Sequence, residues 1–169
     1  AFDFDMDRAG TVQLSETYSW IPPIGASIAW GVNGMGLVMI GLATFLVPLV
    51  LLAARDELSD QGEDRAAGYV AWILALEAIV IAIFAARDVF LFYVLFELMI
   101  LPVYVLVARY GGEGRHRAAI KFVLYSLFGG LVMLAGVIGL AVTASSDVKG
   151  ASRLFLVDTL AGHGAGPRL

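Results

Sequence analysis

The sequence predicts an all-α fold, a polytopic transmembrane bundle of about four spanning helices, and three observations carry that expectation. The 169-residue chain is 60% hydrophobic and only 15% charged, where a soluble domain averages about 45–50% apolar and about 25% charged. Its mean hydropathy is +0.85. Four runs are long enough and apolar enough to cross a bilayer, and one of them carries a carboxylate, Glu97, near its middle.

Residues 1–31 open in a polar stretch, AFDFDMDRAGTVQLSETYSW, with no initiator Met, no basic n-region and no signal-like apolar run. This reads as an extracytoplasmic loop, with room for a short helix, in a segment of a longer membrane protein. The first crossing runs from about Val32 to Ala54 and contains Pro48. A polar loop at 55–65 leads to the second, Ala66 to Ala86, and only Arg87 and Asp88 separate that from the third, Val89 to Ala108. So short a connection makes the second and third an antiparallel hairpin, with Arg87 and Asp88 as its solvated turn. A basic loop at 109–118 precedes the fourth crossing, Ala119 to Ala144, and residues 145–169 form a final extracytoplasmic loop.

Arginine placement sets the expected orientation. The two loops on one side carry Arg55, Arg65, Arg109, Arg115 and Arg117, against Arg87, Lys149 and Arg153 near the opposite helix ends. By the positive-inside rule the first set is cytoplasmic. Backbone punctuation adds detail: Pro102 removes the hydrogen bond to the Leu98 carbonyl and should bend the third helix one turn past Glu97. Gly129, Gly130, Gly136 and Gly139 permit close helix contact in the fourth.

Glu97 lies nine residues after Asp88 and twelve before Arg109. At ~1.5 Å per residue, that puts it roughly 13 and 18 Å from the two charged ends, close to the membrane midplane. A charge there costs at least ~2.5–3.5 kcal/mol, so such residues are rarely kept without a use. Desolvation and neighbouring cations pull the protonation of a buried carboxyl in opposite senses, which suits it to taking up and releasing protons. The plainer alternative is a neutral acid that hydrogen-bonds a neighbouring helix. Helical spacing puts Val94, Leu101 and Tyr104 on its face, with Tyr93 one turn away. Glu77 is the second intramembrane carboxylate, at a similar depth on the adjacent helix, and forms either a relay with Glu97 or a protonated packing residue. Lys121 enters the fourth helix with Tyr125 one turn above; it either snorkels to the surface or points inward as a cation near a carboxylate.

Other chemistries find little support. The chain has no cysteine and two histidines, His116 and His163, far apart in sequence, so thiolate, zinc and iron–sulfur sites are not indicated. No phosphate-binding glycine loop, nucleophile with base, or heme ligand pair is present, and no metal site is expected. The net charge of −4 comes mainly from Asp3 to Asp7 and Asp56 to Asp64 and points away from nucleic acid as a partner.

Two stretches carry a family resemblance. They are Asp88-Val-Phe-Leu-Phe-Tyr-Val-Leu-Phe-Glu97-Leu-Met-Ile-Leu-Pro102-Val-Tyr104 and, after Gly111-Gly112, Ala118-Ala-Ile-Lys121-Phe-Val-Leu-Tyr125. With Trp20-Ile-Pro22, Gly25 and Gly31-Val-Asn33-Gly34 upstream, they resemble subunit M (chain 4) of proton-pumping NADH-quinone oxidoreductase, respiratory complex I, from about Trp20 to Leu140. The resemblance implies an antiporter-like, inverted-repeat membrane subunit, here its third to sixth helices, that carries protons and binds no cofactor itself. NADH, FMN, iron–sulfur clusters and quinone would be bound elsewhere in the complex. Glu97 would be the essential carboxylate and Lys121 the lysine opening the next helix. Glu77 matches no position of the family pattern and, with Tyr104 and Tyr125, stays a further candidate on its place in the helices alone. Partners would be other membrane subunits, above all neighbouring antiporter-like ones, in a bacterial inner membrane. A subunit of a multisubunit sodium/proton antiporter or membrane-bound hydrogenase shares these features. A structural membrane protein, with Glu97 as packing glue, is the third reading.

Overall fold

The computed structural model describes residue 5 and residues 11–21, 26–56 and 62–147, with side chains through residue 139. Two strands, β1 (Gln13–Ile21) and β2 (Ala26–Val32), precede four helices: α1 (Gly34–Ala53), α2 (Glu63–Ala85), α3 (Val89–Tyr110) and α4 (Arg115–Asp147). All four helices are long enough and apolar enough to span a membrane. At ~1.5 Å per residue, the 20 to 23 residues of α1, α2 and α3 cover roughly the 30 Å hydrocarbon core.

The helices start and stop where local chemistry allows. Asn33 caps α1, its side chain accepting from the Gly36 amide at 2.8 Å. Glu63 and Asp64 occupy the first turn of α2, where the helix dipole favours carboxylates. This starts α2 three residues before the apolar run does. Likewise α4 begins at Arg115 and takes in the basic residues expected in the loop. It continues to Asp147, and the rest of the expected terminal loop, 148–169, lies outside the described residues. Pro48 and Pro102 sit inside continuous helices.

Each helix packs mainly on its sequence neighbours, α1 on α2, α2 on α3 and α3 on α4. The result is an open row with α3 well inside it. Few residues are deeply buried, and large apolar side chains such as Met35, Phe45, Leu124 and Phe128 face outward, as expected where lipid or further protein is the solvent.

Residues 13–21 and 26–32 depart from the expected loop with a short helix. They form a two-stranded antiparallel ribbon running from Gln13↔Val32 to Ile21↔Ala26. Thr17, Tyr18, Trp20, Ile28, Trp30 and Val32 are β-branched or aromatic residues suited to extended backbone. Pairing also satisfies their peptide groups next to a membrane.

Ser27, Ala29 and Gly31 form the buried edge of β2. This edge covers the α2–α3 turn, where the Arg87 amide donates to the Ala29 carbonyl at 2.8 Å. Gly31 makes the approach close: a Cβ there would lie 2.7 Å from Val12 Cγ1 and 3.2 Å from Arg87 Cγ.

The expected solvated turn is therefore wrong for Asp88, which is fully buried. One carboxylate oxygen, Oδ2, accepts from the Ser27 amide and hydroxyl, both at 2.9 Å. The other, Oδ1, accepts from the Phe90 and Leu91 amides at 2.9 and 3.1 Å and so caps α3. Four donors replace the water that a buried carboxylate loses. This lock fixes where α3 begins, and with it the level of every residue on α3.

Candidate functional site

Glu97 stands eight residues into α3, and Glu77 stands eight residues before the end of antiparallel α2. The two carboxylates therefore share a level, at ~12 Å from the ribbon end. They do not share an interface. Tyr69 and Tyr110 meet edge to face, with ring centroids 5.2 Å apart, and mark the seam between α2 and α3. Glu97 is thirteen residues before Tyr110 and, at ~100° per residue, about 140° round α3 from that seam. Glu77 lies about 80° round α2 from Tyr69, at the margin of the seam. Glu97 is turned toward α4.

There it meets Gly130. The Oε1 atom of Glu97 is shielded from solvent and has no hydrogen-bond partner. A Cβ built on Gly130 would run into that oxygen and would lie 2.8 Å from Cδ and 3.4 Å from Oε2. The carboxylate thus fills the space that any other residue at 130 would use for its own side chain. Gly130 is buried, while Gly129, Gly136 and Gly139 have open space where a Cβ would go. Of the four glycines expected to aid packing, Gly130 is the one at which a Cβ would strike a neighbouring helix among the described residues.

The remaining candidates are placed apart from this contact. Lys121 is exposed; nine residues before Gly130, it lies ~13 Å away along α4 and about 180° round it. Tyr125 is 77% exposed and shares that outward side. The inward reading of Lys121, as a cation beside Glu97, does not hold within these four helices. Tyr104 lies two turns beyond Glu97 on the same side of α3. It lines an open cavity of about 560 Å³ together with Asp64, Arg65, Arg109, Arg115 and His116. This basic mouth lies at the loop end of α2, α3 and α4, and Glu97 is not part of its lining.

Sequence reasoning missed Gly130 as the residue opposite Glu97. A signal was present: Ala119, Val123, Ser126, Gly130 and Val137 are all buried or half-buried and recur every three, four or seven residues, the period of one helix face. It also missed the Ser27–Asp88 lock, whose two halves are 61 residues apart.

Comparison with known proteins places the sequence and the fold among membrane subunits of one kind. The family described as "NADH:quinone oxidoreductase/Mrp antiporter, TM" matches residues 86–159, a stretch that takes in Asp88, Glu97 and Gly130. NADH-quinone oxidoreductase subunit M of Mycobacterium tuberculosis is 43% identical over 162 residues, an alignment covering 80% of this chain and 29% of that protein. A chain of respiratory complex I from Thermus thermophilus with bound NADH superposes with a TM-score of 0.68 at 31% identity, over 89% of this chain and 29% of that one. The chain belongs to this family. F(420)H(2) dehydrogenase subunit M of Methanosarcina mazei is also similar, 33% identical over 143 residues, covering 84% of this chain and 28% of that protein. The match thus extends to a relative named for a different electron donor. The chain spans under a third of the length of each of these relatives.

Proposed function

We propose that this chain forms part of a proton-translocating membrane subunit of an NADH:quinone oxidoreductase, with Glu97 as the group that binds and releases the proton. The observation that carries this reading is the Glu97 carboxylate at mid-helix, one oxygen shielded and unpartnered, in the groove between α3 and α4. A residue kept as packing glue would make a hydrogen bond across that groove. Glu97 Oε1 makes none, which counts against the purely structural reading. The oxidoreductase names of the relatives favour this function over a sodium/proton antiporter or a hydrogenase.

On this reading the chain binds no redox cofactor, and NADH, FMN, iron–sulfur clusters and quinone are held by other parts of the complex. Energy released there alters hydration and field around Glu97, so that its affinity for a proton alternates. The loops around 55–65 and 109–118 face the cytoplasm of a bacterial cell, and the basic mouth beside Tyr104 is the side from which protons arrive. Lys121 and Tyr125, facing outward, serve the path through helices of the same or a neighbouring antiporter-like subunit.

Glu97→Gln in the full-length subunit, assembled in inverted membrane vesicles, tests the reading. The amide keeps the size and loses the titration. The expected outcome is an intact complex with NADH-driven lumen acidification and quinone reduction both strongly reduced. Acidification at the parent rate would leave Glu97 a structural residue. Acidification that answers to a sodium gradient and not to NADH would transfer the chain to the antiporters.

A further inference from the structure

We infer that Gly130 is a positioning residue for Glu97, a role that rests on the proton-carrying reading above. The missing side chain of Gly130 is the space in which the carboxylate sits, and one added carbon moves the carboxylate while leaving the helix pair intact. The argument has three parts. First, Gly130 is buried at the α3–α4 interface, and the group opposite it is the Glu97 carboxylate, not backbone. Second, the atoms that a Cβ would strike are the far end of a flexible side chain: Oε1, then Cδ at 2.8 Å and Oε2 at 3.4 Å. Glutamate has three side-chain torsions with which to swing aside, so the collision is resolved by moving the carboxylate and not by separating helices. Third, alanine is the better helix former, so the substitution brings no loss of intrinsic helix stability.

The neighbourhood leaves the carboxylate few other fixed points. Tyr93 is one turn away on its own helix, Glu77 is at the same level but beyond the α2–α3 seam, and Lys121 is on the far side of α4. The position of the acid is therefore set by shape, through a notch in α4, more than by a hydrogen bond. For proton transfer, shape is decisive, because a displacement on the order of 1 Å at a reacting group can cost ~100-fold in rate.

The test uses the full-length subunit in the assembled complex, in vesicles, with Gly130→Ala compared with Gly129→Ala. The adjacent glycine has open space where its Cβ would go, so it controls for the helix-propensity change. Two readouts are taken: NADH-driven acidification, and the infrared carboxyl stretching band that disappears in Glu97→Gln. Gly130→Ala is expected to assemble, to shift that band and to lose ~10–100-fold in acidification rate, while Gly129→Ala stays within about twofold of the parent. Glu97→Asp combined with Gly130→Ala is expected to do better than the product of the two single effects, because the shorter acid makes room for the methyl.

Gly130→Ala with an unshifted band and a rate like that of Gly129→Ala overturns the inference. If Gly130→Ala fails to assemble, the double variant decides: assembly restored by Glu97→Asp supports the contact, and assembly still lost makes Gly130 a packing residue and overturns it. Should Glu97→Gln itself acidify normally, the proton reading fails, and the band alone decides whether Gly130 places the acid.

Discussion

Asp88 shows how far one side chain reaches. Its four hydrogen bonds tie the first turn of α3 to Ser27 of the ribbon, with the carboxylate fully buried. Asp88→Ala removes a helix cap of ~1 kcal/mol and charge-assisted bonds of ~1.5–3 kcal/mol, so a loss of about 2–4 kcal/mol is expected in denaturation of the full-length subunit. Ser27→Ala removes one hydroxyl donor and should cost about 1 kcal/mol. The two losses should couple, because the amide of Ser27 and its hydroxyl share one oxygen of Asp88. A cost for Asp88→Ala under ~0.5 kcal/mol would restore it to an ordinary surface turn. Nothing in the local string Ala-Arg-Asp-Val foretells this burial, since Ser27 comes from a strand that hydropathy alone does not announce.

At the scale of elements, what was legible and what was not follows from range. The four helices were readable because each carries its signal within itself, a long apolar run bounded by polar residues. Their starts were less so, because Glu63 and Arg115 are polar residues recruited into first turns by backbone chemistry, not by hydropathy. The ribbon had a local signal in its aromatic and β-branched residues, outweighed by the habit of reading polar stretches as loops. Which faces of the helices meet was only faintly readable: the spacing of Ala119, Val123, Ser126, Gly130 and Val137 picks out one side of α4, but nothing sets Gly130 opposite Glu97 until α3 is laid beside it.

The α2–α3 seam offers its own test of close packing by glycine. Tyr110 is wedged there, its hydroxyl buried without a partner, and a Cβ on Gly68 would lie 2.6 Å from that oxygen. The Arg65 guanidinium lies 5.8 Å from the Tyr110 ring centre and donates to the Arg109 carbonyl at 3.1 Å. Tyr110→Phe removes only an unsatisfied hydroxyl and should be neutral or stabilise by up to ~1 kcal/mol. Gly68→Ala should destabilise by about 1–3 kcal/mol and recover much of that when combined with Tyr110→Phe. Strictly additive effects in denaturation would mean that Gly68 and Tyr110 do not press on each other.

For the whole molecule, the telling feature is that the row of helices is open. Lys121, six residues into α4, lies with Tyr125 on the side of α4 that α3 does not cover, and Tyr125 and Phe128 are 77% and 69% exposed. An intramembrane lysine facing only hydrocarbon is costly enough that its side chain must reach the surface or meet polar groups from elsewhere. Under the proposed function, continuation of the proton path requires the second. A photo-crosslinking phenylalanine analogue placed at Tyr125 in the assembled complex is therefore expected to capture a protein segment outside residues 11–147. The same analogue at Phe90, which packs 6.1 Å from Trp20, should capture β1. Capture of α1, α2 or α3 from position 125 would mean that the row closes on itself, returning Lys121 to the neighbourhood of Glu97. Capture of lipid alone would make Lys121 a snorkelling anchor and end the path at Glu97. Capture of another protein helix would place the next proton carrier across from α4, about two turns closer to the loop end than Glu97, so that the transfer between them runs along the membrane as well as through it.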